Sequence, residues 1–170
     1  MAHPLLTRRQ ARVLAERRDR LVEAAVGRVL ELEAGMGSTD FPEHSFDTVV
    51  AAWVLCSVAD PDRAAGAIFR WLTPAGRLVF LEHSLGVGAR ATLRKAASPL
   101  WSVAARGCRP DQEPVNTLRR AGFAVTDCER FTVPGGNRVL ATWAQGVARP
   151  RPIVLDGVAD QVGADEGVRP

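Results

Sequence analysis

The sequence predicts an α/β protein with a mostly parallel sheet. Three observations lead to this prediction: near-continuous apolar runs typical of strands covered on both faces, helical patterns between those runs, and glycine or proline turns at the boundaries. The 170 residues are 46% apolar and 24% charged, which suits one globular domain with a core. We therefore divide the chain into an N-terminal helix at 1–26, a folded domain at 27–148 and a disordered tail at 149–170.

The first half of the chain predicts the order helix, strand, strand, helix. Residues Leu5 to Ala25 carry an apolar stripe among arginines, the pattern of an amphipathic helix with a solvated outer face. Residues 27–37 fit a short strand that runs into a glycine-rich turn, and Ser45 to Val54 fit a second, buried strand. A helix then opens at Asp60, whose carboxylate suits the capping position, and stops before Pro74.

The second half predicts a strand, two helices and two further strands. Gly76 to His83 fit the third strand, with helical patterns following at about Ala89 to Ala105 and Gln112 to Arg120. Phe123 to Val133 and Arg138 to Gly146 fit strands joined by a Pro-Gly-Gly-Asn turn, which indicates a hairpin. Alternating strands and helices predict a parallel sheet, and the hairpin is expected to add an antiparallel edge.

Composition argues against several classes of partner. The three cysteines, Cys56, Cys108 and Cys128, are odd in number and show no metal-ligand spacing, so we expect neither disulfides nor a metal site. No stretch approaches the roughly 18 apolar residues of a membrane span, so we expect no transmembrane segment and a cytoplasmic location. The net charge of +3 comes from arginines, with Lys95 the only lysine. Such a bias can reflect coding composition, so no nucleic-acid partner is expected.

Four short sequence motifs occur in one order along the chain, and together they indicate a protein family more strongly than any one of them does. An acidic strand enters a glycine-rich loop at 29–37, a strand approach follows at 41–50, a Leu-Thr-Pro-Ala-Gly turn enters a strand at 72–80, and an Ala-Gly-Phe motif ends 118–123. Together they resemble the class I S-adenosylmethionine-dependent methyltransferases, in particular the small type 11 methyltransferases. The resemblance covers about 27–147 and implies a Rossmann-like three-layer sandwich with S-adenosylmethionine as cofactor.

The glycine-rich loop carries the predicted cofactor contacts. Glycines after a parallel strand let the backbone approach a ligand at the carboxyl edge of the sheet, so Gly35 and Gly37 are candidates; a tight turn without a ligand is the alternative. The resemblance implies that Glu31 helps hold this loop and the amino acid end of the cofactor. Glu33 stands where the family has its first motif glycine, and its charged side chain would crowd the loop.

The chain departs from the family pattern directly after this loop. The family has further strands and helices there, which supply the acids beside the ribose and the adenine. Parallel neighbours usually need a crossover of about a dozen residues or more, yet only ten residues separate Gly35 from Phe46. Either a bare loop joins the first strand to the second, or the first strand has moved. We expect an incomplete cofactor half, and an exposed sheet flank that favours a homo-oligomer.

Candidate catalytic residues lie at the carboxyl ends of the second and third strands. Methyl transfer from a sulfonium is an in-line displacement, so positioning and a dry pocket can supply most of the rate. Where the acceptor must lose a proton, Glu82 and His83 are the candidates for the base, the alternative for His83 being a loop histidine bonded to backbone. Cys56 is expected to line the same edge against the cofactor, or to be a small buried side chain. Trp53 and Trp101 are candidates for an apolar acceptor wall, or for core.

Three functions remain open from the sequence. The first is methyl transfer to a small-molecule or lipid-like acceptor. The second is a catalytically inactive methyltransferase-like module that binds or interacts. The third is a nicotinamide-dependent oxidoreductase, which has the same kind of parallel sheet. Its fingerprint requires an acid about 20 residues after the glycines, at the end of the next strand. This sequence lacks such a strand.

Overall fold

The computed structural model describes residues 6–32, 40–85, 92, 108–109, 111–134 and 142–151. The helices in these ranges are α1 (Arg8–Glu23), α2 (Pro61–Trp71) and α3 (Pro114–Arg120), and the strands are β1 (Val29–Leu32), β2 (Phe46–Ala52), β3 (Leu72–His83), β4 (Phe123–Thr132) and β5 (Thr142–Pro150). Their order is the predicted one. The helix predicted at Ala89 to Ala105 lies, apart from residue 92, outside the described residues.

The strands form one mixed sheet in the order β1-β2-β3-β5-β4. Strands β1, β2 and β3 are parallel neighbours, and β5 runs antiparallel to both β3 and β4. The predicted parallel sheet with a C-terminal hairpin is confirmed, as are the adjacent central strands β2 and β3. The hairpin also adds the predicted antiparallel edge, with β5 inside the sheet and β4 at its edge. The inner position suits β5, since Trp143, Ala144 and Ala148 are fully buried.

Helices cover both faces, which confirms the three-layer sandwich. On one face, Leu14 of α1 packs in a cluster with Leu81 and Trp143. On the other, Ile68 of α2 and Leu118 of α3 belong to the main core cluster. None of the helices in the described ranges is long and apolar enough to cross a membrane.

Local residues at both ends of helix α2 explain why its start and end could be predicted from the sequence. The Asp60 carboxylate accepts a hydrogen bond from the Arg63 amide at 2.9 Å, and Pro61 occupies the first turn, where no amide hydrogen is needed. The helix ends at Trp71 because Leu72 adopts an extended conformation, with ψ 140°. The chain passes directly into β3, so the crossover delivers β3 beside β2.

The connection from β1 to β2 is the shortened part of the chain. Strand β1 pairs directly with β2, from Val29 beside Thr48 to Leu32 beside Ala51, so the alternative that the first strand has moved is wrong. Residues 40–45 contain no helix, and residues 33–39 lie outside the described ranges. Within those ranges β1 has no neighbour on its other side, and Val29 is 41% exposed. The homo-oligomer expected from this flank stays a prediction.

Strand β5 extends beyond both its predicted end at Gly146 and the predicted domain boundary at 148. Pro150 is paired with Phe123, and the Arg151 amide donates to the carbonyl of Gly122 at 3.0 Å. The sequence suggested an earlier stop because prolines interrupt the apolar run after residue 148, but a proline at the end of a strand removes only one ladder bond. The remainder of the predicted tail, 152–170, lies outside the described residues.

Candidate functional site

The carboxyl ends of the three parallel strands meet at one edge of the sheet. The register places Leu32 beside Ala51 and Ala52 beside Leu81. The turn that follows β2, residues 53–57, therefore meets the end of β3 at this edge. Open α/β sheets bind their ligands outside the carboxyl ends of their strands, so this edge is the candidate site.

A buried carboxylate holds the turn that follows β2. Glu82 is fully buried, and its Oε1 accepts hydrogen bonds from the amides of Val54 at 2.8 Å and Leu55 at 3.0 Å. Its Oε2 accepts from the amide of Cys56 at 3.1 Å. Successive amides that converge in this way form an anion-binding concavity, which is filled by the protein's own carboxylate. Burial raises the pKa of Glu82 to about 7, and the three amide hydrogen bonds oppose that rise.

The residue that begins this turn has an unusual backbone conformation. Trp53 has a φ of +59°, in the left-handed region that bulky side chains rarely adopt. Such a conformation costs on the order of 1–3 kcal/mol and persists where the surroundings over-determine it. Here the Trp53 amide donates to the Leu81 carbonyl at 3.0 Å, and the Glu82 carboxylate fixes the next three amides. The strain therefore marks a held turn at the ligand edge.

His83 and two cysteines form a second buried group behind this turn. The Sγ atom of Cys108 lies 3.5 Å from the Sγ of Cys56 and 3.1 Å from Nδ1 of His83. The His83 ring packs on the Trp143 ring, with 3.7 Å between the ring centroids. The hydrogen bond with Cys108, and then burial, raise the pKa of the Cys56 thiol well above its usual value. Each of the three side chains is only 1% exposed.

Sequence reasoning missed this grouping. Cys108 is 52 residues from Cys56 and 25 from His83, so no local ligand spacing exists. The sequence did indicate one part of it. Cys56 follows β2 and His83 ends β3, and the carboxyl ends of adjacent parallel strands meet at one edge of the sheet. The position of Cys108 had no such signal, because a long connection separates it from β3.

The segment before α3 is hydrogen-bonded to the turn after β2 and to the end of β3. The Arg109 amide donates to the Cys56 carbonyl at 2.6 Å, and the Leu85 amide donates to the Gln112 carbonyl at 2.9 Å. Glu113 then accepts from the Ser84 hydroxyl at 3.0 Å and from the guanidinium of Arg130 at 2.8 Å. These bonds join the end of β3 to the start of α3.

The predicted cofactor residues have different outcomes. Glu31 lies in β1, and its carboxylate forms an ion pair with Arg18 of α1, both side chains being about one third exposed. Gly35, Gly37 and Glu33 lie outside the described residues. The structure thus brings Cys56, Glu82 and His83 together in a buried position, and leaves the predicted roles of the glycines as predictions. Trp53 is partly buried and packs against buried core residues, so its predicted role as a pocket wall stays a prediction, and Trp101 lies outside the described residues.

Comparison with known proteins gives consistent sequence matches. The family model described as "Methyltransferase domain" matches residues 8–80. The human thiol S-methyltransferase TMT1A is 29% identical over 106 residues, which is 59% of this chain and 42% of that protein. The ubiquinone/menaquinone biosynthesis C-methyltransferase UbiE of Pasteurella multocida (strain Pm70) is 41% identical over 59 residues, which is 35% of this chain and 22% of that protein. The chain spans less than half the length of these two relatives.

Solved structures share the fold. A Thermotoga maritima protein described as an S-adenosylmethionine-dependent methyltransferase superposes with a TM-score of 0.58 at 14% identity, covering 82% of this chain and 89% of that one. A Burkholderia thailandensis 1,6-didemethyltoxoflavin-N1-methyltransferase, solved with S-adenosylhomocysteine, gives a TM-score of 0.57 at 17% identity and covers 82% and 79%. The chain is thus similar to methyltransferases in sequence over residues 8–80, and it shares the fold of class I methyltransferases. The resemblance drawn from the sequence is confirmed.

Proposed function

We propose that the chain is an S-adenosylmethionine-dependent methyltransferase for a small-molecule acceptor, with cofactor and acceptor meeting at the carboxyl edge of β1, β2 and β3. The observation that carries this proposal is the strained turn at 53–56. Glu82 holds that turn through three amides at the edge where α/β sheets bind ligands. These three hydrogen bonds from a buried carboxylate therefore fix the position of the turn.

The residues at the end of β1 fit the amino acid end of S-adenosylmethionine. That end carries an ammonium and a carboxylate, and the Arg18–Glu31 pair places a cation and an anion side by side in a half-buried position. Glu31 would hold the ammonium, Arg18 would attract the carboxylate, and the backbone at Gly35 and Gly37 would approach the cofactor closely. The adenosine end of S-adenosylmethionine has fewer candidate contacts. Within the described ranges β1 is an edge strand, so no further strand lies beside it to carry them.

The chain's own contribution to the reaction is positioning. When bound, S-adenosylmethionine supplies a sulfonium methyl group, and in-line displacement depends on alignment and on exclusion of water. Glu82 acts through the turn as a positioning residue, since both its oxygens are bonded to backbone. Trp53 supplies a partly buried ring, and its indole nitrogen has no acceptor within the described ranges. The roles of base predicted for Glu82 and His83, and the cofactor contact predicted for Cys56, stay predictions.

The relatives suggest two acceptor classes to examine first. The name of TMT1A states thiol sulfur as its acceptor atom, and the name of UbiE states carbon methylation in quinone biosynthesis. We propose that this chain takes a small acceptor of one of these two classes. The cytoplasmic location expected from the sequence is part of the same proposal.

Product formation tests the proposal directly. The full chain is incubated with millimolar S-adenosylmethionine and either a small thiol or a quinol, and S-adenosylhomocysteine is measured by mass spectrometry. We expect product above the protein-free background, and its loss in Gly35→Val, where a side chain would block the cofactor loop. The matched control is Gly66→Ala in α2, where an added Cβ meets nothing within 4 Å, so activity should be unchanged.

A different result would favour the inactive, ligand-binding module. If neither acceptor yields product and calorimetry shows no heat with S-adenosylmethionine, the methyltransferase proposal is wrong. If S-adenosylmethionine binds but no acceptor is methylated, the cofactor part stands and the proposed acceptor classes are wrong.

A further inference from the structure

We propose that Cys56, His83 and Cys108 form a zinc site behind the carboxyl edge of the sheet. Their ligand atoms, two Sγ and one imidazole nitrogen, all lie within 4.8 Å of one another. Two thiolates and one imidazole are a ligand set that zinc ions take in proteins. The site shares Cys56 with the predicted cofactor contacts, but metal binding does not depend on methyl transfer.

The distances are close to those of tetrahedral coordination. With zinc–sulfur bonds of about 2.3 Å and zinc–nitrogen bonds of about 2.0–2.1 Å, a tetrahedron separates two sulfurs by about 3.8 Å and a sulfur from a nitrogen by about 3.6 Å. The two sulfurs lie 3.5 Å apart, and the Cys108 sulfur lies 3.1 Å from the His83 nitrogen. For these two pairs, shifts of about half an ångström or less would admit the ion, and the third pair of ligand atoms lies within 4.8 Å.

Charge and burial favour a divalent ion with these ligands. Zn²⁺ with two thiolates and a neutral imidazole carries no net charge, which suits three side chains that are each 1% exposed. Binding releases the two thiol protons to solvent as the two zinc–sulfur bonds form. His83 offers Nδ1 as an electron-pair donor, and its ring packs against the Trp143 ring, which is tilted by 32° and restricts the imidazole.

The ligands come from three separate segments that other bonds already hold. Cys56 lies in the turn fixed by Glu82, His83 ends β3, and Cys108 precedes Arg109, whose amide donates to the Cys56 carbonyl. Preorganised ligands lose less freedom on binding, so the site needs little rearrangement. Within the described residues the group has three such ligands, and sites of that kind keep a fourth position for water.

Metal content and cobalt substitution test the site. The full chain is purified under a metal-free phosphine reductant, zinc is measured by mass spectrometry, and the metal-depleted protein is titrated with Co²⁺. We expect about one zinc per chain, and a thiolate-to-cobalt charge-transfer band in the near ultraviolet. Cys56→Ser and Cys108→Ser should each weaken Co²⁺ binding by at least about tenfold. The matched control is Cys128→Ser on exposed β4, which should bind as the unmodified chain does.

The unmodified chain alone can overturn the proposal, whatever the folding of the variants. Absence of zinc together with absence of the charge-transfer band means that the group is only a network of hydrogen-bonded thiols. Equal loss of Co²⁺ binding in Cys128→Ser would also overturn it. Circular dichroism of each variant separates loss of metal from loss of fold.

Discussion

At the residue scale, Glu82 links the core to the carboxyl edge of the sheet, which is the candidate site. Its carboxylate is fully buried and carries three backbone hydrogen bonds, while the left-handed Trp53 precedes the amides it binds. The turn conformation and the acid therefore depend on each other. Removing the acceptor leaves buried amides without partners, which is costly, whereas the turn itself contributes strain.

The change Glu82→Gln tests this dependence. We expect a loss of about 1–3 kcal/mol in the free energy of unfolding, because the amide group turns one acceptor oxygen into a donor facing backbone N–H groups. Urea denaturation at neutral pH measures the loss. Glu16→Gln is the control, since Glu16 is an exposed partner of Arg12 on α1 and should change stability by less than about 0.5 kcal/mol. Equal losses in the two variants would show that the hydrogen bonds of Glu82 add no more to the free energy of unfolding than an exposed ion pair does.

Individual residues also show where sequence reasoning reached its limit. It placed Glu82, His83 and Cys56 at one edge, because strand order and direction follow from the apolar runs. It did not predict which way these side chains face. Residues 82 and 83 alternate across β3, yet both are buried, since packing covers both faces of the central strand at that end. That cover includes Trp143 and Cys108, which come from much later in the chain.

At the scale of elements, β1 is the shortest strand of the sheet. It has four residues and pairs only with β2 among the described residues, and of the four only Leu32 is buried. Strand β3 has partners on both sides and is buried from Leu78 to His83. Local opening costs least where few buried contacts hold an element, so the two strands should differ in stability.

Amide hydrogen exchange measures this difference. We expect the amides of Leu30 and Glu31 to exchange at least about tenfold faster than those of Val79 and Leu81. The comparison is internal, because both strands belong to one sheet in one sample. Equal protection would mean that something outside the described residues covers β1, as the predicted homo-oligomer would. Repeating the exchange at several protein concentrations distinguishes self-association from cover within the chain.

The C-terminal hairpin gives a prediction about the chain end. The last described contacts are the pairing of Pro150 with Phe123 and the bond from Arg151 to Gly122, and the sequence after 151 shows no apolar period. A chain that ends at Arg151 should therefore melt within about 2 °C of the full chain, since the sequence after 151 lacks a core-forming pattern. A chain that ends at Gly146 loses the buried Ala148 and should melt clearly lower. Differential scanning calorimetry compares the three chains, and a large drop for the first truncation would contradict the predicted tail.

Elements that form from local signals were the most predictable. Helix α2 has its cap and its proline within three residues, and the apolar runs of β2 and β3 leave little choice of structure. The order of β4 and β5 within the sheet is different, because it depends on which hairpin strand buries more surface against β3. The fully buried Trp143 places β5 beside β3, and no local sequence pattern indicates this order.

At the scale of the whole molecule, the sheet is complete on one side of β3 and shortened on the other. Strands β5 and β4 follow β3 on one side, while β2 and then β1 form the other. Residues 33–45, between β1 and β2, stand where the family has further strands and helices. The core survives because its main cluster is built on β2, β3, α2 and α3. The shortened side is where the adenosine of the cofactor would need acidic partners.

This asymmetry predicts that S-adenosylmethionine binds weakly and that Glu33→Gly improves binding only in part. Glycine at the motif position removes a crowding side chain and a negative charge near the cofactor's own carboxylate. The change does not restore the acids that class I methyltransferases carry beside the ribose and the adenine, because the sequence between β1 and β2 is too short to include that segment. Each lost charged hydrogen bond is worth on the order of 1.5–3 kcal/mol. Two such losses amount to about 3–6 kcal/mol, enough to turn micromolar affinity into millimolar or weaker.

Calorimetric titration of three proteins decides the matter. The unmodified chain should bind S-adenosylmethionine with a dissociation constant near the millimolar range, and Glu33→Gly should lower that constant by about tenfold, which corresponds to 1.4 kcal/mol. Glu43→Gly removes the same charge from an exposed position in the same connection, where Glu43 lies 3.9 Å from Arg70, and should leave the affinity unchanged. Equal gains in both variants would assign the effect to net charge rather than to the motif position. Low-micromolar binding by the unmodified chain would show that the shortened side costs the cofactor nothing, because other parts of the chain then replace the missing acids.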